Sequence, residues 1–385
     1  MYSASEDFHT AVAQGKPQKA LLIFPNAFFG NDDINIENGI ALNDYFSAED
    51  DLNIGQALSN ELTFSLFNDD RLLNDYAFGD FLATIGVLIN SGTYTQTGNV
   101  QATTGNATYV GYNSNPYLKR NNLAVATQPT FQVKSILAYD GKVYVCGANQ
   151  QCKVYRDSDG ADITSSTTVP TFMKVRSKGW AGRGMNYDKS SRILTEWKGG
   201  KTEQYEFVPL GYFTAKRPNV PDVIQINFTC NDFMMKFEKD MPDAATLGIT
   251  YPSTISNLFV KLCNYAGVSY ESSTFINSTA TIVKQPSEFS NCTMRQVLKW
   301  IAEAAASNLR FNRDGQLVFD WLHETEQEFD ESGYSDFNPY WYETPKVTKL
   351  INRDSLGGTD SNVGTGSNAY LIQDNPLLKG VTASE

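Results

Sequence analysis

Side chains that could perform catalysis are few and scattered in this 385-residue chain. The sequence contains only two histidines, His9 and His323, and a hydrolase that activates a nucleophile needs a base beside it. His323-Glu324 begins like the helix motif of zinc peptidases, but Gln327 stands where the second histidine ligand belongs. We therefore predict that the protein is not an enzyme and has no catalytic, cofactor-binding or metal-binding residues.

Three carboxylates lie close together in Asp157-Ser-Asp159-Gly160-Ala-Asp162. Closely spaced oxygens suit calcium, but the segment does not match the helix-flanked calcium loop, and Asp-Gly pairs are common in hairpin turns. Calcium binding and a plain turn both stay open for residues 157–162. Paired carboxylates for glycan cleavage also stay open, because their spacing is set in three dimensions.

The five cysteines are Cys146, Cys152, Cys230, Cys263 and Cys292. An odd number without Cys-x-x-Cys spacing argues against a disulfide framework or a zinc site. Cys146 and Cys152 can pair across a hairpin, although small buried residues are the simpler interpretation.

Glycine pairs offer no phosphate loop. Gly182-Arg-Gly184 and Gly364-Thr-Gly366 lack the strand and helix that such a loop needs, so we predict flexible loops at both places. Neither the phosphate-loop motif nor the G-x-S-x-G motif of serine hydrolases occurs in the sequence.

Composition favours a β-rich, acidic protein. The 23 Phe and 20 Tyr residues favour strands and contact surfaces over helical bundles. The net charge of -12 argues against tight binding of nucleic acid. It suits a surface that DNA passes without binding. The N-terminus lacks the basic and apolar regions of a secretory signal, and no apolar run approaches the roughly 20 residues of a membrane helix. We expect a soluble protein made in the cytoplasm.

The stretch from Asp51 to Leu82 organises the N-terminal part. Leu62 to Leu66 alternates apolar and polar residues, which predicts a strand with one buried and one wet face. Ile54 to Ala57 reads as a bend before that strand, and Phe78 to Ile89 as a further strand or a short helix. Val223 to Cys230 has the clearest alternation in the chain and predicts a strand of a half-buried antiparallel sheet.

Residues 91–200 change in character, because they are rich in Gly, Ser, Thr, Asn and Tyr. Two strands flank the Asp140-Gly141 turn, which predicts a hairpin in an all-β insertion domain. The tyrosines serve equally well as a binding platform or as packing, and both interpretations stay open.

Two helices with readable ends follow. Ser253 is the predicted cap of the first helix and Gly267 its stop, while Thr293 with Gln296 forms a capping box for the second. Each helix has one apolar stripe, and the hairpin around Asn312 to Gly315 is the expected sheet partner. After Trp321 the chain is acidic and irregular, with one short strand predicted at Ala369 to Ile372.

The order of these segments resembles the tail-hub family of bacteriophage tails, which includes the baseplate hub proteins of contractile tails and the N-terminal hub region of tail-associated proteins. The segments that carry the resemblance are DLNIGQALSNELTFSLFNDD, VPLGYFTAKRPN, INFTCNDFMMKFEKDM, YPSTISNLFVKLCNYAGV and TMRQVLKWIAEAAASNLRFNRDGQLVFDW. The resemblance covers about residues 1–90 and 205–378.

The resemblance implies a mainly β, α+β fold with a tube-like antiparallel β-barrel. The expected domains are a discontinuous hub barrel at 1–90 and 201–240, a β-rich insertion at 91–200, an α+β domain at 241–330 with two helices against a sheet, and a linker with the start of a further barrel segment at 331–385. Members of the family usually continue beyond this point, so either the chain is shortened or its second barrel is incomplete.

The resemblance also implies a homotrimeric ring at the distal end of the virion tail, assembled in the host cytoplasm. Expected partners are the tail tube protein, a distal tail or baseplate protein, the tape measure protein and a spike or fibre, with phage DNA passing the lumen without specific binding. No membrane insertion is expected.

Two other functions stay open. One is a tail-tip host-surface or carbohydrate-binding protein that acts through residues 91–200, and the other is a tail-associated cell-wall hydrolase. The hub hypothesis predicts that the stretch 51–82 shares one sheet with 208–232, and that the insertion leaves and returns at neighbouring points.

Overall fold

A computed structural model describes residues 4–25, 29–35, 39–45, 54–68, 71, 73–74, 78–148, 151–167, 182–215 and 225–320, and the backbone alone of 27–28, 351–352 and 361–362. The chain is mainly β with few helices, which confirms the predicted α+β, mainly β class. It divides into two compact units, of which the first comprises Met1–Leu42 and Leu62–Cys230 and the second Asn43–Glu61 and Asn231–Glu385.

The first unit opens with helix α1 (Glu6–Ala13), which Ser5 caps by accepting the Phe8 N–H. Its strands are β1 (Gln18–Phe24), β2 (Ala27–Gly30), β3 (Ile40–Asn43), β4 (Glu61–Phe67), β5 (Asp80–Thr93), β6 (Val100–Thr103), β7 (Thr108–Gly111), β8 (Leu118–Arg120), β9 (Leu123–Ala124), β10 (Ser135–Tyr139), β11 (Lys142–Cys146), β12 (Cys152–Arg156), β13 (Arg183–Asp188), β14 (Ile193–Lys198), β15 (Lys201–Ala215) and β16 (Gln225–Asp232). All of these except β6–β9 belong to one 12-stranded sheet.

Strands β5 and β15 form a long antiparallel ribbon within this sheet. Thr93 pairs with Lys201 at one end and Asp80 with Thr214 at the other. The insertion therefore leaves and returns at directly paired residues, as predicted. The sheet continues from β15 in two directions, through β14, β13, β10, β11 and β12 and through β16, β4 and β3. On the other side of the ribbon, β5 pairs with β1, and β1 pairs with β2.

The sheet curls into a half-barrel. Strand β4 is the neighbour of β16, which confirms the predicted shared sheet for residues 61–67 of the first segment, although residues 54–58 do not belong to it. The chain leaving β2 returns to β4, where the Asn35 N–H donates to the Ser65 carbonyl at 2.9 Å and the Phe67 N–H donates to the Asp33 carbonyl at 2.9 Å. Phenylalanine rings fill the interior, and Phe64 stacks on Phe228 with ring centroids 4.7 Å apart.

The insertion builds a second core beside the first. Strand β10 is buried along its whole length, because Leu137 and Tyr139 face the core of the curled sheet while Ile136 and Ala138 face a core shared with β6–β8. The Asp140-Gly141 hairpin is confirmed, with φ of 53° and 70° at its two turn residues. Because the two cores share strands, the insertion is part of the first compact unit.

The second unit contains α2 (Ala244–Leu247), β17 (Ser253–Thr254), α3 (Ile255–Ala266), β18 (Ser269–Tyr270), β19 (Thr281–Ile282), α4 (Met294–Ala304), β20 (Asn308–Phe311), β21 (Gln316–Asp320), β22 (Ile351–Asn352) and β23 (Ser361–Asn362). The Thr293 side chain accepts the Gln296 N–H at the start of α4, and Gly267 ends α3 in the left-handed conformation, both as predicted. The predicted cap Ser253 is wrong by one residue, because Thr254 accepts the Asn257 N–H.

One segment belongs to a different unit from the one predicted. Residues 54–58, expected as a bend before a barrel strand, run beside β20 in the second unit. The Leu58 N–H donates to the Leu309 carbonyl at 2.7 Å, and the Leu309 N–H donates to the Gln56 carbonyl at 2.7 Å. These bonds extend the small sheet β18-β21-β20 by one short parallel segment. The predicted strand at 369–372 and most of the predicted segment 331–385 lie outside the described residues.

Candidate functional site

The two histidines do not form part of a catalytic arrangement in the described residues. His9 lies exposed on α1, where its ring meets the Phe8 ring edge-on at 6.0 Å between centroids. His323 and the acidic residues that follow it lie outside the described part of the chain. Among the described residues, no histidine side chain therefore lies in hydrogen-bond contact with a hydroxyl or a thiol.

The carboxylates of the 157–162 turn point to separate partners. Asp157 is buried, and its two oxygens accept hydrogen bonds from the Thr104 hydroxyl at 2.9 Å and the Asn106 amide at 2.8 Å. Asp159 pairs with the guanidinium of Arg156 at 2.9 Å. The contacts of Asp157 join the turn to the connection between β6 and β7, while the Arg156–Asp159 pair lies within the turn itself.

The third carboxylate of the turn, Asp162, pairs with Lys153 at 2.5 Å. Burial alone would raise the pKa of Asp162, but hydrogen bonds from Lys153 and Thr164 and the lysine charge lower it overall. Among the described residues, no three His, Cys, Asp or Glu side chains are grouped so that they could hold a metal ion.

The glycines at 182–184 serve close packing. Gly182 has φ of 76° in a turn, but Arg183 and Gly184 lie in strand β13, so the prediction of a flexible loop is wrong there. A Cβ atom on Gly184 would lie 1.6 Å from the carbonyl oxygen of Gln101. Strand β6 thus crosses β13 at a distance that only glycine permits.

The buried tyrosines of the insertion pack in the two cores of the first unit. Five of the eight are buried, none is exposed, and all eight lie in the described residues. Burial raises the pKa of Tyr109 to about 12, with a smaller opposing effect from Arg120; Arg120 donates to the Tyr109 hydroxyl at 3.2 Å. These rings therefore build cores and do not form an exposed aromatic platform.

Uncharged polar side chains lie side by side on the face of β4 and β16 that is turned away from the core, between Glu61 and the exposed Phe67 of β4. We call Asn35, Thr63, Ser65, Gln225 and Asn227 the polar face. Ser65 donates from its hydroxyl to the Asn227 side-chain oxygen at 2.7 Å, and the Asn35 amide donates to the Gln225 side-chain oxygen at 2.8 Å. The opposite face of β4 and β16 carries Phe64, Phe228 and other core residues. The predicted alternation is confirmed in β16, whereas in β4 the expected wet face is buried at Ser65, which is 4% exposed.

A cavity of about 430 Å³ opens where β1 approaches β13 and β14. Its floor is apolar and its rim carries charges of both signs. Lys19 pairs with Glu196 at 2.6 Å and lies 4.0 Å from the centre of the Tyr205 ring, and Arg183 pairs with Asp32. Lys198, Lys201 and Glu203 also line the cavity, so its rim carries further charged groups beside these two ion pairs.

Asp232 is a buried titratable residue that sequence reasoning missed. It lies at the end of β16, where the buried alternation Ile226, Phe228, Cys230 points to it as the next inward residue. Its oxygens accept the Asn60 N–H at 2.8 Å and the Ser59 hydroxyl at 3.0 Å. Burial raises the pKa of Asp232 to about 6 despite these donors. The contacts fasten residues 59–60 to the start of the second unit.

Comparisons with protein families, with curated proteins and with solved structures found no match. In the described part of the chain, no helix is both long and apolar enough to span a membrane. Function is therefore best inferred from the fold, the faces of the sheet and the placement of charge.

Proposed function

We propose that this protein is a structural hub of a phage tail or phage-tail-like particle. As a homotrimeric ring it joins the tail tube to the distal tip or spike. The supporting observation is the sheet itself: the β5–β15 ribbon and the β16–β4 pair belong to one curled sheet that a long insertion interrupts between the paired residues Thr93 and Lys201. The segment order predicted that the segments before and after the insertion share one sheet, and this sharing supports the proposal.

In this proposal the half-barrel is a tube-like barrel. The hydrogen bonds from Asn35 to Ser65 and from Phe67 to Asp33 support it, because they draw the chain after β2 onto the opposite edge of the sheet. Closing a sheet removes edges that would otherwise pair with other chains. A barrel of this kind in each of three copies presents repeated, matching surfaces to a tube.

The charge distribution fits a DNA passage. The net charge is -12, and the polar face carries amide and hydroxyl groups without a lysine or arginine. A surface without clustered cations displaces few counterions from DNA and therefore binds it weakly. We propose that the polar face belongs to the wall of the passage and that the role is not catalytic.

The host-surface alternative gains no support from the described residues. It depended on the tyrosines of residues 91–200, and these lie in cores or at intermediate exposure. Deleting the insertion is also a poor test, because Leu137, Tyr139 and Leu194 contribute to the core of the curled sheet. Such a deletion would uncover apolar surface and unfold the unit.

The proposal is tested by the mass of the full chain in solution. Multi-angle light scattering after gel filtration should give three copies, 3 × 42.8 kDa or about 128 kDa, over a tenfold range of protein concentration. A stable monomer of 42.8 kDa at every concentration, with no binding to a tail tube, would contradict it.

A matched pair of surface variants makes the test sharper. Phe67 on β4 is 44% exposed and is a large apolar side chain that the curled sheet offers to a neighbouring copy. Leu123 on β9 is 74% exposed but belongs to the insertion. We expect Phe67→Ser to shift the trimer toward smaller species and Leu123→Ser to leave it intact. The reverse result would place the contact on the insertion instead.

A further inference from the structure

Cys146 and Cys152 face each other across the β11–β12 hairpin. They are direct partners in the strand register, and their sulfur atoms lie 3.2 Å apart as thiols that are not joined by a disulfide. The antiparallel ladder of β11 and β12 therefore positions the two side chains opposite each other.

The register puts the pair at a position suited to a disulfide. The Gly147 N–H donates to the Gln151 carbonyl at 2.9 Å, which marks the neighbouring pair as hydrogen-bonded. Hydrogen-bonded and non-hydrogen-bonded pairs alternate along an antiparallel ladder, so Cys146 and Cys152 occupy a non-hydrogen-bonded pair. Cα atoms are close there, at about 4.5 Å, within the range that a disulfide spans.

The two thiols differ in access. Cys146 is 4% exposed, whereas Cys152 is partly exposed at the start of β12. Strand β12 is the last strand of its branch of the sheet. A small reagent in solution therefore reaches Cys152 first, and Cys146 lies behind it as a second thiol.

The other cysteines lack this arrangement. Burial raises the pKa of the Cys263 thiol to about 12, and burial with the nearby Glu288 raises the pKa of Cys292. A raised thiol pKa lowers the thiolate fraction that reacts. Cys230 is fully buried in the core of the curled sheet.

We propose that Cys146 and Cys152 form an oxidisable dithiol site that a low-molecular-weight disulfide such as oxidised glutathione converts to a cross-strand disulfide. The Cys152 thiolate attacks one sulfur of the glutathione disulfide, forms a mixed disulfide and releases one glutathione thiolate. The Cys146 thiolate then attacks the Cys152 sulfur and releases the second glutathione. Two electrons pass to the reagent, and the two thiol protons end on two molecules of reduced glutathione.

The new bond ties β12 to β11 at the end of the hairpin where the two strands are connected. The outer side of β12 is already covered, because the Ile163 N–H donates to the Val154 carbonyl at 2.9 Å, so the disulfide adds a covalent constraint between β12 and β11 only. The chain would leave a reducing compartment with an open dithiol and acquire the bond in an oxidising one. This site is independent of the hub proposal.

The test uses the reduced full chain in its folded state, incubated with oxidised glutathione and then quenched with acid. After denaturation and alkylation with N-ethylmaleimide, intact mass spectrometry counts the free thiols. We expect five adducts before oxidation, one per cysteine, and 5 − 2 = 3 adducts afterwards, with no bound glutathione. Peptide mapping should recover Cys146 joined to Cys152.

Two variants serve as controls. Cys152→Ser should keep 5 − 1 = 4 adducts before and after treatment, because Cys146 has lost its partner. Cys292→Ser should lose two adducts on oxidation, from four to 4 − 2 = 2, just as the parent chain loses two. Five adducts after oxidation, a persistent glutathione adduct on Cys152, or cross-links to other cysteines would overturn the proposal. The peptide map of the unmodified sequence gives the answer even where a variant fails to fold.

Discussion

Protonation of Asp232 should stabilise the second unit at mildly acidic pH relative to neutral pH. The residue is 2% exposed. Burial raises the pKa of its carboxyl from 3.8 to about 6, although donors from Asn60, Met234 and Ser59 and the charge of Arg295 lower it. The folded protein therefore binds more protons than the unfolded chain between these values. The stabilising contribution is full below pH 3.8 and is lost as the pH rises through about 6.

The size of the effect follows from the two pKa values. The shift from 3.8 to about 6 corresponds to about 3 kcal/mol, at about 1.36 kcal/mol for each pH unit. Between pH 5 and 7.5 only part of the titration takes place, so the free energy of unfolding should fall by about 1.4 kcal/mol over this range because of Asp232. Urea unfolding at both pH values measures this difference when the parent chain is compared with Asp232→Asn, since other groups contribute equally to both proteins.

A control and a direct titration complete the experiment. The pKa of Asp243 is lowered by hydrogen bonds, mainly from the Thr246 backbone at the start of α2. It is ionised in both states above pH 5, so Asp243→Asn should leave the difference between the two pH values unchanged. Carbon-13 NMR of the Asp232 carboxyl should give a midpoint near 6. A midpoint at or below 3.8, with equal pH dependence in the parent and Asp232→Asn, would refute the reasoning.

Two predictions concern the first unit and use the free energy of unfolding. Gly184→Ala should cost at least about 2 kcal/mol, because the new methyl group meets the Gln101 carbonyl; Gly92→Ala, with only an ordinary contact at 3.4 Å, should change stability by less than about 0.5 kcal/mol. Phe228→Ala should cost about 3–5 kcal/mol, since its buried ring stacks inside the half-barrel, whereas Thr229→Ala on the exposed face should be nearly neutral.

Two outcomes would contradict these predictions. A fully stable Gly184→Ala protein would mean that β6 does not cross β13 closely. The packing of β6 in the core that it shares with β10 would then be different from the one described here. Equal losses for Phe228→Ala and Thr229→Ala would mean that β16 does not bury one face, and the register with β4 would be in doubt.

The local features of the fold were predictable from the sequence. The alternation at Ile226, Phe228 and Cys230 identified a half-buried strand, because side chains alternate between the faces of a sheet. The Asp140-Gly141 turn identified its hairpin, since both residues tolerate positive φ. Helix ends were readable from Thr293 and Gly267, because capping depends on residues close in sequence.

Long-range features were harder to predict. Residues 54–58 pair with β20, about 250 residues later in the chain, and no local pattern encodes such a partner. Gly184 looked like loop sequence because two glycines flank an arginine, yet its reason is the approach of β6 from elsewhere in the chain. Strand β10 was predicted as half of the Asp140-Gly141 hairpin, but its parallel pairing with β13 was not, because β13 begins more than 40 residues later in the chain.

The same limit applied to the candidate sites. The Asp157 to Asp162 turn has the composition of a calcium loop, but its carboxylates point to Thr104, Arg156 and Lys153. Asp232 lay on the inward alternation of its strand, a signal that was present but was not followed to the strand's end. The residue types identified the candidate sites. Only the three-dimensional contacts showed whether these side chains pack and pair within the protein or are available to bind a ligand.

The central claim, that the chain forms a structural hub ring, is tested most directly by electron microscopy of the purified full-length protein. End-on class averages should show a threefold ring with an open centre. Single particles without threefold symmetry, at concentrations where the protein is folded, would contradict the hub.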